Sequence, residues 1–302
     1  MRLVSFTKAG GSELSAGIQT TGGVAESWRV AELAGIANPS GAKLDSARAV
    51  LALSRGELAA LGQAAESNQD TLKSEGALHS ADSLNLGPPV PDPQKIVCLG
   101  LNYRDHAEEA GLKAPSAPMF FAKFANSLVG PTDPIVPPRT TEQVDYEAEL
   151  AVVIGSPGRY IPVEQALEHV AGAMAFNDVS ARDLQMANNL WSGGKAIDTF
   201  GPCGPALVTM DEIDDLQALS VRTRVNGETV QDGNTAWMIF GVAETIAFLS
   251  QIMTLQTGDI IATGTPSGVG NSRTPRLFLH AGDVVEVEIE GLGILRNPVE
   301  SA

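Results

Sequence analysis

Four prolines fall within the seven residues 87–93, Gly-Pro-Pro-Val-Pro-Asp-Pro. Proline fixes φ and has no N–H, so this stretch can neither continue a helix nor sit in a central strand. It divides the chain. We expect a small N-terminal α/β domain over residues 1–85, a proline-rich linker over 86–94 and the main domain over 95–302. In the first part, residues 2–8 and 15–32 read as short strands, with Gly22-Gly23 turning a hairpin. Residues 43–65 are rich in Ala and Leu and read as one or two helices.

Beyond the prolines, KIVCL (95–99) and AELAVVI (148–154) read as buried strands. Residues 103–111 suggest a short helix stopped by Gly111. Pro162 followed by VEQALEHVAG predicts a helix with Val163, Leu167 and Val170 on one face, and residues 242–253 predict another with Val242, Ile246 and Leu249. Residues 219–225, 259–262 and 283–289 read as strands; in the last, Val285, Val287 and Ile289 alternate with Glu286 and Glu288. Strands dominate without a regular βαβ order, so the expected class is α+β, mostly β.

Twenty Lys and Arg against 36 Asp and Glu give a net charge of −16. That argues against a nucleic-acid partner, which needs a basic face, and against docking on an anionic membrane. Hydrophobic residues at 43% suffice for a large core. Cys98 and Cys203 lie far apart and form no CxxC, which disfavours a disulfide framework or a thiolate zinc site. The opening Met-Arg-Leu-Val-Ser-Phe-Thr-Lys has no long apolar stretch of the secretory type, and a cytoplasmic location is expected.

Five segments carry candidate chemistry. Asp145-Tyr146-Glu147-Ala148-Glu149 runs into an apolar strand. On a strand, residues i and i+2 share a face, so Glu147 and Glu149 present adjacent carboxylates. Their repulsion calls for a proton or a cation, and oxygen ligands suit Mg²⁺ or Mn²⁺. The bland alternative is an exposed acidic strand end. Asp178, after the apolar run ending at Phe176-Asn177, reads either as a third carboxylate ligand or as a helix N-cap. Lys195, framed by Gly194 and Ala196-Ile197, reads as a holder of an enolate or carboxylate oxygen, or as a surface lysine. His106 and Glu109 stand i, i+3 on a short helix, as a general base with its orienting carboxylate or as a plain surface pair. The loop ATGTPSGVG (262–270) has no GK[ST] and is not a phosphate loop; its glycines let backbone amides approach a ligand.

Taken in order, LNYRDHAEE, DYEAELAVVIG, FNDVSARDLQ, GKAIDTF, VNGETVQDGNT, ATGTPSGVG and GDVVEVEIEGLGILRNPV resemble the fumarylacetoacetate hydrolase family over roughly residues 92–302. The resemblance implies a mixed β-sandwich roll, usually a homodimer. It implies Mg²⁺ or Mn²⁺ on Glu147, Glu149 and Asp178, and His106 with Glu109 as catalytic groups on a mobile lid over residues 103–125. Lys195 takes the place of the family lysine, and Gln185, Thr265 and Arg182 are expected to bind substrate. GKAIDTF departs from the Lys-Ser-Phe of many family hydrolases and leaves the substrate open.

The implied reaction is hydrolysis of a C–C bond in a 2,4-dioxo acid such as an acylpyruvate. His106 would deprotonate water, and Lys195 would hold the departing pyruvate enolate. The same enolate serves a decarboxylase of the oxaloacetate type, or an isomerase or hydratase of 2-oxo acids. A non-enzymatic alternative is a metal-stabilised binding protein on the same scaffold, which would not need a general base.

Overall fold

The computed structural model describes residues 1–20, 29–36, 44 and 46–302. The Gly22-Gly23 hairpin lies outside the described residues. The fold is α+β and mostly β, and its centre is two antiparallel strands, Ala148–Ile154 and Val170–Asn177, buried along their whole length. Both sequences are nearly continuous apolar runs, because both faces of this sheet are covered. Alternate side chains serve different cores. Ala151, Val153, Met174 and Phe176 pack with Leu58 and Leu61 of the N-terminal helices. Leu150, Val152, Ala173 and Ala175 pack with Val242, Ile246 and Leu249.

Among the described residues the wide sheet holds twelve strands. On one side of the central pair come Gly201–Thr209, then Arg2–Lys8, Ser15–Thr20, Arg29–Glu32 and Leu78–Ser80. On the other side come Ile260–Ala262, Ile96–Gly100 and the edge strand Met119–Lys123. A second, antiparallel sheet orders Glu228–Asn234, Ser220–Val225, Val284–Ile289 and Gly293–Pro298. In Val284–Ile289, Val285, Val287 and Ile289 are buried and the two glutamates half-buried, as the alternation requires.

The N-terminal strand joins the main sheet directly, with Leu3 opposite Leu207. The proline stretch is itself packed. Leu84–Gly87 pairs with Arg2–Lys8, Ser5 Oγ donates to the Pro88 carbonyl at 2.6 Å, and Val90 is fully buried. The Ala- and Leu-rich segment forms helices Ala47–Leu51 and Arg55–Ser67, and a third, Gln69–Ser74, follows.

One expected helix is of a different kind. Val163–His169 is a 3-10 helix with Pro162 as its cap, and Val163 and Leu167 are exposed while Ala166 is buried. At three residues per turn Val163 and Leu167 do not stack on one face, so the apolar face predicted at 3.6 residues per turn does not form. Val242–Ile252 is α-helical, with Val242, Ile246 and Leu249 buried as read. Among the described residues no helix is long and apolar enough to cross a membrane.

Candidate active site

The acidic pair is not an exposed strand end. Glu147, Glu149 and Asp178 are all buried, and one carboxylate oxygen from each lies within 4.8 Å of the others. Backbone pairing sets this up. Ala148 stands opposite Asn177 across the central strands, the Glu147 N–H donates to Asn177 Oδ1 at 3.0 Å, and the Asp178 N–H donates to the Glu147 carbonyl at 2.9 Å. Asp178 caps no helix: the following helix begins at Arg182, and its N-cap Ala181 offers no side-chain bond.

Three buried cations face these acids. Lys195 Nζ lies 2.7 Å from Glu147 Oε2 and 2.8 Å from Asp178 Oδ2. Lys123 Nζ lies 2.7 Å from Asp178 Oδ1 and donates to the Val179 carbonyl at 3.2 Å. Arg182 reaches Glu147 Oε1 through Nη1 at 2.7 Å and Asp145 Oδ2 through Nη2 at 2.8 Å. Asp145 brings the acids to four, so one negative charge lacks a matching cation, and Glu149 is where it falls. Among the described residues Glu149 Oε2 accepts only the Gly264 N–H, at 2.9 Å, and its Oε1 is buried with no hydrogen-bond partner. Burial, then the neighbouring Asp178 and Glu147, push the Glu149 carboxyl well above the usual range. Burial raises Glu147 too, but Lys195 and Arg182 outweigh it and hold that carboxyl low.

An orphaned carboxylate oxygen aimed into a cluster of hard oxygen donors fits a divalent cation. Glu147, Glu149 and Asp178 would hold it, and the donor set suits Mg²⁺ or Mn²⁺.

The helix Arg104–Glu109 carries the expected pair, with His106 Nδ1 3.3 Å from Glu109 Oε2. The helix ends as Gly111 suggested. With φ of +68°, Gly111 donates to the Glu108 carbonyl, and Leu112 donates to that of Ala107. Two carboxylates pin the helix to the glycine-rich loop. Asp105 Oδ2 accepts from the Ser267 N–H at 3.0 Å and from Ser267 Oγ at 2.7 Å, and Glu109 Oε1 accepts from the Gly268 N–H at 2.9 Å. Gly264 and Gly268 have φ of +91° and +103°, and a Cβ on Gly268 would lie 2.2 Å from the Val230 carbonyl oxygen. The loop therefore presents its amides to Glu149 and Glu109.

His106, Glu147, Arg182, Gln185, Lys195 and Thr265 all line one cavity of about 130 Å³, whose outer wall includes Leu101, Phe121 and Trp191. Glu149 and Asp178 lie buried behind it. Arg182 directs its hydrogen bonds to Asp145, Glu147 and Gln185, with the Gln185 Oε1 at 3.0 Å. Gln185 Nε2 has no protein partner among the described residues. The segment expected to form a lid is narrower than residues 103–125. Met119–Lys123 is a sheet strand paired with Ile96–Gly100, and Tyr103 is fully buried, which leaves residues 104–118 as the part outside the core.

Sequence reasoning missed Lys123, Asp145 and Gln231. Lys123 closes the apolar run Met119–Ala122, an unusual place for a solvated lysine. Asp145 stands two residues before Glu147, at the end of the separate short strand Val144–Asp145, which pairs with Ser180–Ala181. It accepts the Gly270 and Asn271 N–H groups at 2.7 and 2.9 Å and so ties the loop to Arg182. Gln231 donates to Thr265 Oγ1 at 2.8 Å.

The sequence is 47% identical over 246 residues to a mitochondrial oxaloacetate tautomerase of Xenopus laevis, covering 80% of this chain and 77% of that one. It is 51% identical over 213 residues to the mitochondrial oxaloacetate tautomerase FAHD2A of Homo sapiens, covering 70% and 68%. The fold superposes with a TM-score of 0.81 on the fumarylacetoacetate hydrolase of Exiguobacterium antarcticum, at 35% identity and covering both chains completely. The model of the fumarylacetoacetate (FAA) hydrolase C-terminal family matches residues 95–300, the region that supplies every site residue described above. The chain belongs to that family of enzymes.

Proposed function

We propose that the protein binds a 2-oxo acid and moves a proton at the carbon beside its keto group, interconverting the keto and enol forms of a 2-oxo dicarboxylate such as oxaloacetate. The observation that carries this reading is that His106, paired with Glu109, lines the same cavity as Lys195 and Glu147 of the acidic cluster. The tautomerase relatives support it. A divalent ion on Glu147, Glu149 and Asp178 would polarise the keto group as a Lewis acid.

Glu109 can only accept, so the His106 proton sits on Nδ1 and leaves Nε2 as the base. Nε2 takes the proton from the carbon; the C–H electron pair becomes the C=C bond, and the keto C=O becomes the enolate C–O⁻. The protonated imidazole returns the proton to carbon or passes it to oxygen. Lys195 places positive charge near the developing oxyanion, and Gln185 Nε2 and the Thr265 hydroxyl are donors for the substrate carboxylate.

A second reading is C–C hydrolysis of an acylpyruvate, with the same pair deprotonating water. The apolar outer wall of Leu101, Phe121 and Trp191 favours it, since it suits an acyl chain. Assays with Mn²⁺ separate the two. Decay of the oxaloacetate enol absorbance should run well above the buffer rate. If it matches buffer while acetylpyruvate is consumed, hydrolysis replaces tautomerisation. Turnover of neither substrate would leave a binding protein.

The substrate should also still the helix that carries His106. Amide exchange over residues 104–118 is expected to slow on adding oxalate, a mimic of enolpyruvate, because closure over a site excludes water. Identical exchange with and without oxalate would remove the lid.

Self-association is proposed as a homodimer. Met119–Lys123 is an edge strand with Met119 and Phe120 exposed, and Phe124, Met186 and Leu190 are exposed as well. An apolar edge strand of this kind invites pairing with another chain. Sedimentation at micromolar concentration should give twice the 31.5 kDa of one chain, and a stable single-chain species would overturn the proposal.

A further inference from the structure

Gln231 lies on Glu228–Asn234, buried behind the cavity, and its amide makes four hydrogen bonds. Oε1 accepts from the Ala148 N–H at 3.0 Å and from Thr223 Oγ1 at 2.7 Å. Nε2 donates to Thr265 Oγ1 at 2.8 Å and to the Pro266 carbonyl at 2.9 Å. The amide cannot be turned over. A backbone N–H only donates and a backbone carbonyl only accepts, so Ala148 fixes where the oxygen goes and Pro266 fixes the nitrogen.

The consequence falls on Thr265. A hydroxyl has one proton and two lone pairs. Gln231 Nε2 occupies a lone pair, and Thr265 Oγ1 has no other protein partner among the described residues. Thr265 is nearly buried and lines the cavity, so its proton is left for whatever the cavity holds. Through Ala148, the same amide ties the strand bearing Glu147 and Glu149 to the loop bearing Thr265.

We infer that Gln231 is a positioning residue that sets the polarity of Thr265, making its hydroxyl a hydrogen-bond donor to the carboxylate of the bound acid. The inference rests on the reading that the cavity takes a 2-oxo acid. It adds that recognition depends on a residue that never touches the ligand.

Calorimetry of oxalate binding to the Mn²⁺-loaded protein tests it without reference to turnover. Thr265→Val should weaken binding about tenfold or more, the worth of a hydrogen bond to a charged group. Gln231→Glu is nearly isosteric, but its carboxylate cannot donate. Thr265 then turns its proton toward residue 231 and offers only lone pairs to oxalate, so affinity should again fall about tenfold or more. Made in the Thr265→Val background, Gln231→Glu should cost almost nothing further, because there is no hydroxyl left to turn. An equal loss in both backgrounds would mean that Gln231 acts only on the fold. Wild-type-like binding by Gln231→Glu would also overturn the inference. If Gln231→Glu does not fold, Gln231→Met leaves the hydroxyl unheld; its loss must likewise vanish in the valine background, and persistence there defeats the proposal. Wild-type protein that failed to bind oxalate would sink the 2-oxo acid reading itself, and this inference with it.

Discussion

Glu149→Gln should give a metal-free protein that melts higher than wild type, yet binds Mn²⁺ at least about 10²-fold more weakly, since even outer-shell partners of a metal are worth 10–100-fold. Both effects come from one oxygen. Glu149 Oε1 is buried without a partner among the described residues, and the carboxyl is crowded by Asp178 and Glu147. An amide keeps the acceptor for the Gly264 N–H and puts an NH₂ where the orphan oxygen was, facing acceptors instead of repelling them. The pH dependence has a definite sign. The folded-state pKa of Glu149 is raised above its ordinary 4.5, mainly by burial. Above the unfolded pKa the unfolded chain has lost the proton while the metal-free fold still holds it, so stability falls as pH rises until the folded pKa is passed. The amide of the Glu149→Gln variant does not titrate and has no such loss, so its melting advantage should widen as pH rises above the ordinary carboxylate range. In the wild type, cation binding should release a proton and tighten over the same range. An advantage that shrinks with pH, or unchanged Mn²⁺ affinity, would show that Glu149 is not the uncompensated acid.

What was legible in the sequence was what local geometry encodes. Glu147 with Glu149 and His106 with Glu109 follow from the periods of a strand and a helix. The fully buried strands announced themselves as apolar runs. Lys123 offered only its place at the end of an apolar run and Gln231 nothing, because their partners lie 55 and 34 residues away and only the folded sheet brings them together. Gly201–Thr209 begins Gly-Pro-Cys-Gly-Pro, which reads as a chain breaker, yet it is a strand beside the central pair. Pro205 falls where the register against Val170–Asn177 shifts, between Ala173 and Ala175, and Pro202 lies before Cys203, where that pairing begins, so neither missing N–H breaks the regular ladder. The 3-10 turn of Val163–His169 escaped for the opposite reason: its sequence has good helical periodicity, and the tertiary setting overrode it. The third acid was ambiguous between ligand and cap, and the helix start at Arg182 removes the cap.

His106→Ala divides the chemistries open to this site. Tautomerisation needs a base that takes a proton from carbon and gives it back, and hydrolysis needs a base that takes one from water. Decarboxylation of oxaloacetate needs neither, since carbon dioxide leaves and the electrons stay on the enolate beside Lys195. Removing the imidazole should therefore slow oxaloacetate tautomerisation and any acylpyruvate cleavage by about 10²-fold or more, the usual worth of a positioned base. Any decarboxylation should survive, and oxalate affinity should change little, because His106 makes no hydrogen bond to the acidic cluster. Glu109→Gln tests the orienting half. An amide oxygen can still accept from Nδ1 or from the Gly268 N–H, so the helix should stay docked while the imidazole loses its charged partner. Its rate should fall less than that of His106→Ala, with the same substrates spared. Glu147→Ala makes the opposite control: it removes the partner shared by Lys195 and Arg182, so tautomerisation, cleavage and decarboxylation should all fail together. Full tautomerase or hydrolase activity in His106→Ala would return the pair to an ordinary surface helix and show that His106 is not the base of that reaction.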